Sequence, residues 1–478
     1  MRRVSFVTGM RRRTLLKTLA VIPCLPALAA AQTEKLRVVT LRAGELRQRI
    51  VPEPYPETAL WGYNGTVPGP LLRFRRGDRV RIVVENGLPQ DTTVHWHGLR
   101  VPNSMDGVPH LTQPPIAAGG RFVYEFDLPD AGTYWYHPHE RSHEQVARGL
   151  FGAFIVEEHA PIKVDRDVTW VLSDWRLTPQ AEDVGDFVNL FDLTHAGRLG
   201  NTVAINGKFT PRDGVFSARS GERIRLRLIN AATARIFRLH FSEHQPRIIA
   251  LDGQAVDPHA EPSGIVIGPG MRTDLVLDCP QQPGARFEVS ESFYGTQQRR
   301  LIEIVYEDTP LRAVPLDAPI ALAANAHPHV DTVRAQRIEI ALQGGAKGAL
   351  REAEFHSQRM PLGVLAREHQ VAWAINGVAH RHHAHQPLAT LKRSAHYVLA
   401  LHNDTAWYHP LHLHGHFFRI LSRNGEPAPR TEWRDTLLLA PRERAEVGLV
   451  ADNPGDWMLH CHVLQHQHGG MMATLRVS

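Results

Sequence analysis

Three short segments recur in the same order along this chain, and that repeat constrains the fold more tightly than composition does. Tyr63-Asn64-Gly65, Ile205-Asn206-Gly207 and Ile375-Asn376-Gly377 each precede a strand pattern that closes on an asparagine: Asn86, Asn230 and Asn403. Nine positions before each closing asparagine stands a turn residue, Gly77, Gly221 or Ser394. The runs nearby alternate polar and apolar residues, as in Arg79-Val80-Arg81-Ile82-Val83-Val84, Arg121-Phe122-Val123-Tyr124-Glu125-Phe126 and Arg223-Ile224-Arg225-Leu226-Arg227-Leu228. Period two with frequent Gly, Pro, Asn and Asp argues an all-β sandwich or barrel class. Long amphipathic helices are hard to find. Three copies of one β-domain, starting about 150 residues apart, is the economical reading and suits a normal domain size.

A chain of 478 residues is too long for one hydrophobic core and suggests two to four domains. Glu158-His159-Ala160-Pro161 closes the first copy, and a Pro- and Ala-rich stretch, Thr309 to Asp331, precedes the third. The expected domains are therefore 35–160, 161–310 and 332–478, with a linker at 311–331. The formal charge of +5 misleads. Residues 1–31 hold Arg2, Arg3, Arg11, Arg12, Arg13 and Lys17 and no acid; setting those six aside from 54 basic residues leaves 48 against 49 acidic ones. The near-neutral remainder excludes a nucleic-acid partner or a polybasic membrane surface. Residues 1–31 themselves read as a cleavable export signal: a basic stretch, an apolar run from Leu15 to Ala31, and a small-residue end. Arg12-Arg13-Thr14-Leu15-Leu16-Lys17 resembles the twin-arginine motif, which implies export by the twin-arginine machinery to a bacterial periplasm.

The chemistry is concentrated at the end of the chain, in His460-Cys461-His462-Val463-Leu464-Gln465-His466-Gln467-His468-Gly469-Gly470-Met471. A cysteine, two histidines and a weak axial methionine form the ligand set of a blue-copper electron-transfer centre. Cys461, His466 and Met471 lie here, and a second histidine must come from elsewhere. His460 and His462 flank the cysteine on a strand pattern, where successive side chains point to opposite faces, so they imply a second metal site behind the first. Similar pairs occur at His95-Trp96-His97, His137-Pro138-His139 and His409-Pro410-Leu411-His412-Leu413-His414. Alternate histidines on a strand share one face, so four pairs can deliver eight nitrogens to one cavity. Cys461 as a metal thiolate leaves Cys279 without a disulfide partner in the mature chain, where it reads as a small buried hydrophobe.

These segments resemble the three-domain multicopper oxidases, the family of laccases, bilirubin oxidases and bacterial cuprous oxidases, over essentially the whole mature chain. The resemblance implies an all-β fold of three cupredoxin-like Greek-key β-sandwich domains. It also implies four coppers per chain and a middle domain without ligands; residues 161–310 accordingly contain no His-x-His. By this resemblance the type 1 copper takes His409, Cys461, His466 and Met471. The type 2 copper takes His95 and His412, and the type 3 pair takes His97, His137, His139, His414, His460 and His462. Met472, His468, His416 and His143 are bystanders. Asp106 matches the family's acidic residue near the type 2 and type 3 coppers and is expected to donate or relay protons. Asp435 resembles a position that supports a type 1 histidine by a hydrogen bond that fixes its tautomer. Gln467 departs from the pattern: bacterial relatives often carry glutamate there, and glutamine cannot supply a proton in the same way.

Such an enzyme couples one-electron oxidation of a reducing substrate at the type 1 copper to reduction of dioxygen to water at the trinuclear cluster. The segment Gln145-Val146-Ala147-Arg148-Gly149-Leu150 looks most like the bacterial cuprous oxidase branch. That branch carries a methionine-rich insertion over the type 1 site, whereas between Glu352 and His414 this chain has only Met360. The type 1 edge is then expected to be open to organic substrates, and a phenol-oxidising, laccase-like enzyme is the first reading. Cuprous-ion oxidation for copper tolerance is the second, with the stretch His380-Arg381-His382-His383-Ala384-His385 as a candidate weak metal-binding loop. Copper nitrite reductases have two domains per chain and lack the four histidine pairs. Non-enzymatic cell-division relatives have lost the ligands that are complete here. With a whole cluster in one chain, a monomer suffices.

Overall fold

Each repeated Asn-Gly is a hairpin turn with both residues at positive φ: Asn64 and Gly65 at 53° and 76°, Asn206 and Gly207 at 50° and 72°, Asn376 and Gly377 at 50° and 77°. That geometry matches the right-handed twist of the flanking strands, and Asn-Gly adopts it at little cost. The asparagine side chains do further work. Asn64 Oδ1 accepts from Arg42 N at 2.7 Å while its Nδ2 donates to Thr40 O at 3.0 Å. Asn206 repeats the pattern with Val171 and Thr169, and Asn376 with Ala341 and Glu339. Each turn is thus stitched to the first strand of its copy, Leu36–Gln48, Arg166–Trp175 or Gln336–Gly344. Those strands run parallel to Arg79–Asn86, Glu222–Asn230 and His396–Asn403 respectively. The closing asparagines pin the exits of these second strands: Asn86, Asn230 and Asn403 accept from the backbone N–H of Leu88, Ala232 and Thr405, each at 3.0 Å.

In the computed structural model the described residues are 36–295, 298–381 and 386–478. The export signal at 1–31 and His382, His383 and His385 of the histidine-rich stretch lie outside them. The fold is all-β, three cupredoxin-like Greek-key sandwiches of two sheets each, with an added two-stranded hairpin, Glu352–Phe355 and Gln358–Pro361, in the third copy. Among the described residues the longest helix, Leu362–His369, has eight residues, and no helix is long and apolar enough to cross a membrane.

The second sheet of the first copy orders its strands Gly69–Arg75, Gly152–Glu157, Gly132–His137 and His95–His97. Its counterpart in the third copy runs Ala389–Leu391, Met472–Val477, Gly455–Cys461, His409–Leu413 and Thr436–Leu439. These two sheets carry the histidine pairs. Each copy has its own apolar core, and a further cluster, including Trp135, Trp175, Ile229 and Leu464, joins elements of all three. Burying a large apolar side chain contributes about 1.5–3 kcal/mol, so this shared cluster binds the copies together.

The strand Glu222–Asn230 departs from simple alternation, because its arginine face is buried as well. Arg225 pairs with Asp274 and Glu158 at 2.8 Å each, and Arg227 binds Asp167 at 2.7 Å and Thr133 Oγ1 at 2.8 Å. An unpaired buried guanidinium would cost several kcal/mol. Here Asp167 and Asp274 of the middle copy pair with the arginines, and Glu158 and Thr133 of the first copy cover the rest of the polar face.

Candidate metal centre

Strand register brings the histidines together. His95 lies opposite His137 across one ladder, and His412 lies opposite His460 across another. His95 stacks on His414 and His97 on His412, with ring centroids 3.9 and 3.8 Å apart, so the first and third copies interleave their imidazoles. His139, His414 and His460 form one close group, His95, His97 and His137 another, and His95, His412 and His414 a third. All are buried. His462 completes the cavity beside His97, at 4.9 Å between centroids. On the other side of the Cys461 backbone, His409, Cys461 and His466 form a separate buried triad. Its Sγ lies 3.4 Å from His409 Nδ1 and 3.6 Å from His466 Nδ1, and the two nitrogens are 3.1 Å apart. Met471 is fully buried in the same core cluster as Cys461.

These separations fit metal ions. Bonds of about 2.0 Å to nitrogen and about 2.3 Å to sulfur place tetrahedral ligands about 3.3–3.5 Å apart. In the larger group, His414 Nε2 and His460 Nε2 face each other at 3.1 Å. His95 Nε2, His97 Nδ1, His137 Nε2, His412 Nε2 and both ring nitrogens of His139 and His462 are buried without a hydrogen-bond partner among the described residues. So many orphaned basic nitrogens would be costly in a metal-free core. Four of the rings are held by their outer nitrogens: His95 by Asp106 O at 2.7 Å, His137 by Pro138 O, His460 by Cys461 O and His412 by Asp435 O, the last three at 2.9 Å. Such bonds fix which nitrogen carries the proton and aim the other inward. Burial pushes the pKa of His97, His137, His139, His409, His412, His414, His460 and His462 below the usual imidazole range, and that of His466 down to about 3. Neutral imidazoles keep their lone pairs for a metal. Burial also pushes the Cys461 thiol far above its ordinary value, so a bound cation must displace its proton.

Asp106 sits inside the larger group, 2.9 Å from His414 Nδ1 through Oδ2 and 3.3 Å from His95 Nδ1 through Oδ1. Asp435 corrects the sequence reading. It does not support a histidine of the cysteine triad; it lies 3.2 Å from His97 Nε2 and 3.3 Å from His412 Nδ1, in the larger group. The residue that supports His409 is Thr405, whose Oγ1 is 2.8 Å from His409 Nε2. Its spacing of four before His409 was the available signal, but only the bend after Asn403 turns the hydroxyl back. Of the bystanders, His416 contacts the His414 carbonyl, and His143 packs on His468 with centroids 4.0 Å apart.

A second correction concerns the cysteine triad's outer edge, which is closed. His466 is fully buried, and its Nε2 donates to the carbonyl of His195 at 2.7 Å, just beyond the short helix Leu190–Thr194. Asn189 caps that helix, and Arg176 anchors it through Asp192 at 2.7 and 3.0 Å. Outside the cap, His195 stacks on Phe191 at 4.2 Å and meets Trp407 at 5.1 Å, and Phe191 is 68 % exposed. A cavity of about 890 Å³ opens on the histidine group elsewhere, lined by His139, Glu140, Ser142, Gln467 and Met472 among others. Ser142 Oγ donates to Gln467 Oε1 there, at 3.3 Å.

Models of the multicopper oxidase family match residues 47–161, 166–306 and 355–478. The chain is 30% identical over 452 residues to the multicopper oxidase MmcO of Mycobacterium tuberculosis, covering 86% of this chain and 82% of that protein. It is 25% identical over 615 residues to copper resistance protein A of Pseudomonas syringae pv. tomato, covering 98% and 99%. Among solved structures it resembles a laccase-like multicopper oxidase, CueO, from the lignin-degrading bacterium Ochrobactrum sp., with oxidase activity towards lignin model compounds and lignosulfonate. There the TM-score is 0.75 and the identity 27%, over 92% of this chain and 97% of that one.

Proposed function

Since the chain belongs to the multicopper oxidase family and is a copper-dependent oxidoreductase, we propose that it carries electrons from a phenolic or other aromatic donor to dioxygen, yielding water. In this reading His409, Cys461, His466 and Met471 hold the type 1 copper, His95 and His412 the type 2 copper, and His97, His137, His139, His414, His460 and His462 the type 3 pair. Bound copper would supply one-electron chemistry at the first site and dioxygen reduction at the cluster. The protein does the rest. Cys461 sits between His460 and His462 in the chain, so a covalent path joins the two sites. Asp106 holds His414 and keeps a buried Oδ1 without a hydrogen-bond partner among the described residues, which suits it to pass a proton into the cluster. The cavity beside His139 admits dioxygen and water; with Gln467 where a carboxylate would serve, Asp106 is the proton-carrying side chain of choice.

The observation that carries the substrate class is the cap over His466. An electron arriving there crosses the His195 carbonyl, beneath the exposed ring of Phe191 and beside Trp407, a surface that suits aromatic stacking. Soft thioether ligands, which would select cuprous ion, are scarce in the region that relatives fill with methionine. Cuprous-ion oxidation for copper tolerance is the second reading, favoured by the histidines at 380–385 and by the copper-resistance relative. We further assign residues 1–31 to twin-arginine export to the periplasm. Turnover of a methoxyphenol and of cuprous ion should be compared in the wild type, in Phe191→Ala and in a chain lacking 380–385. The expected result is a KM for the phenol raised several-fold by Phe191→Ala, with cuprous turnover unchanged. Faster cuprous turnover that vanishes with the histidine stretch would put the second reading first.

A further inference from the structure

The middle copy supplies none of the expected ligands, yet one of its side chains reaches the cluster. We propose that Arg272, at the start of the strand Arg272–Cys279, is a positioning residue for the histidine cluster: it fixes the Asp435 carboxylate, which in turn sets the ring nitrogen that His97 offers to metal and, together with the Asp435 carbonyl, the one that His412 offers. The inference rests on the copper reading above.

Arg272 is fully buried, and all five of its guanidinium N–H groups have acceptors. Nε donates to Thr133 O at 3.1 Å, in the first copy. One terminal nitrogen donates to Gly270 O at 3.1 Å and Asp435 Oδ1 at 2.8 Å; the other donates to Asp252 O at 3.1 Å and Asp435 Oδ2 at 2.5 Å. This two-pronged grip leaves the carboxylate no freedom to rotate. Asp435 Oδ1 then accepts from Thr436 Oγ1 at 2.7 Å and His97 Nε2 at 3.2 Å, and lies 3.3 Å from His412 Nδ1. The two imidazoles are anchored through opposite nitrogens. His97 Nδ1 and His412 Nε2 are the ones left buried without a partner among the described residues. Space has been cleared for the grip: a Cβ on Gly98 would sit 2.2 Å from the Arg272 guanidinium and 2.7 Å from Asp435 Oδ2. Lysine would keep the charge and lose the fork.

The test measures copper per chain by atomic absorption, the blue type 1 band, and the type 2 electron paramagnetic resonance signal, in the wild type, Arg272→Met and Arg272→Lys. The blue band reports folding of the third copy in the same molecules. Arg272→Met is expected to keep the band while its copper falls from four toward one, with loss of the type 2 signal. Arg272→Lys is expected to bind cluster copper at least ten-fold more weakly, with an altered type 2 signal. Four coppers and an unchanged type 2 signal in Arg272→Met would overturn the inference. If that variant fails to fold, wild-type copper affinity and type 2 signal in Arg272→Lys overturn it equally. A wild-type chain that binds no copper would instead overturn the copper reading on which the inference rests.

Discussion

Gly270→Ala perturbs the closure of the cluster from the middle copy at a single carbon. Gly270 has φ +82°, and a Cβ there would lie 2.7 Å from His462 Cδ2, 2.8 Å from His462 Cγ and 3.0 Å from His97 Cε1. Two costs follow. Placing alanine in the left-handed region costs about 1–2 kcal/mol. Overpacking against these two fully buried rings costs about 1–3 kcal/mol more. Gly377 separates the two: its φ is +77°, and an added Cβ would meet nothing within 4 Å. Gly377→Ala is thus expected to cost about 1–2 kcal/mol and Gly270→Ala about 2–5 kcal/mol. Urea unfolding of the copper-free chains would measure the difference, followed by more than one probe because a chain of several copies need not unfold in one step. Copper-loaded Gly270→Ala should also lose cluster copper while keeping its blue band. Equal destabilisation by the two substitutions, with full copper in both, would refute the claim that Gly270 packs against the ligands.

Three further outcomes are expected. Thr405→Val removes the partner of His409 Nε2 in a fully buried site, which should cost about 1–3 kcal/mol and shift the type 1 reduction potential; an unchanged potential would show that Thr405 does not tune His409. Asp106→Asn preserves an acceptor for His414 but cannot pass a proton, so dioxygen reduction should slow by about 10²–10⁴-fold while anaerobic bleaching of the blue band by a donor keeps its rate. Burial would raise the pKa of Glu158 and Asp167, but Arg225 and Arg227 more than offset it and hold both below the ordinary range. A depressed folded pKa gives stability that is present above the unfolded value and lost as pH falls through the folded one. The copper-free chain's urea midpoint should therefore fall below about pH 4, and a rise in that range would contradict the assignment.

How much was legible in the sequence follows from how local each feature is. The Asn-Gly turns and closing asparagines could be read because each satisfies a nearby demand, a positive φ or a set of backbone groups at a strand exit. The histidine pairs could be read because strand alternation alone puts both rings on one face. The cap on His466 could not: it joins His195 to a residue 271 positions away, and nothing in Leu190-Phe191-Asp192-Leu193-Thr194 marks it as a lid. Asp435 was found but given the wrong histidines, because Arg272, 163 positions distant, determines where its carboxylate points. The arginines of Glu222–Asn230 alternate like an exposed stripe, yet they are buried against Asp167 and Asp274 of their own copy and Glu158 and Thr133 of the first.

The central claim is that a cysteine–histidine site feeds electrons one at a time to a histidine cluster that reduces dioxygen to water. Its most direct measurement is the amount of one-electron donor oxidised per dioxygen consumed by the copper-loaded chain, with peroxide assayed alongside. About four donors per dioxygen without peroxide are expected, as full reduction to water by one-electron transfers requires, with no uptake in Cys461→Ser. About two donors per dioxygen with matching peroxide, or undiminished uptake in Cys461→Ser, would contradict it.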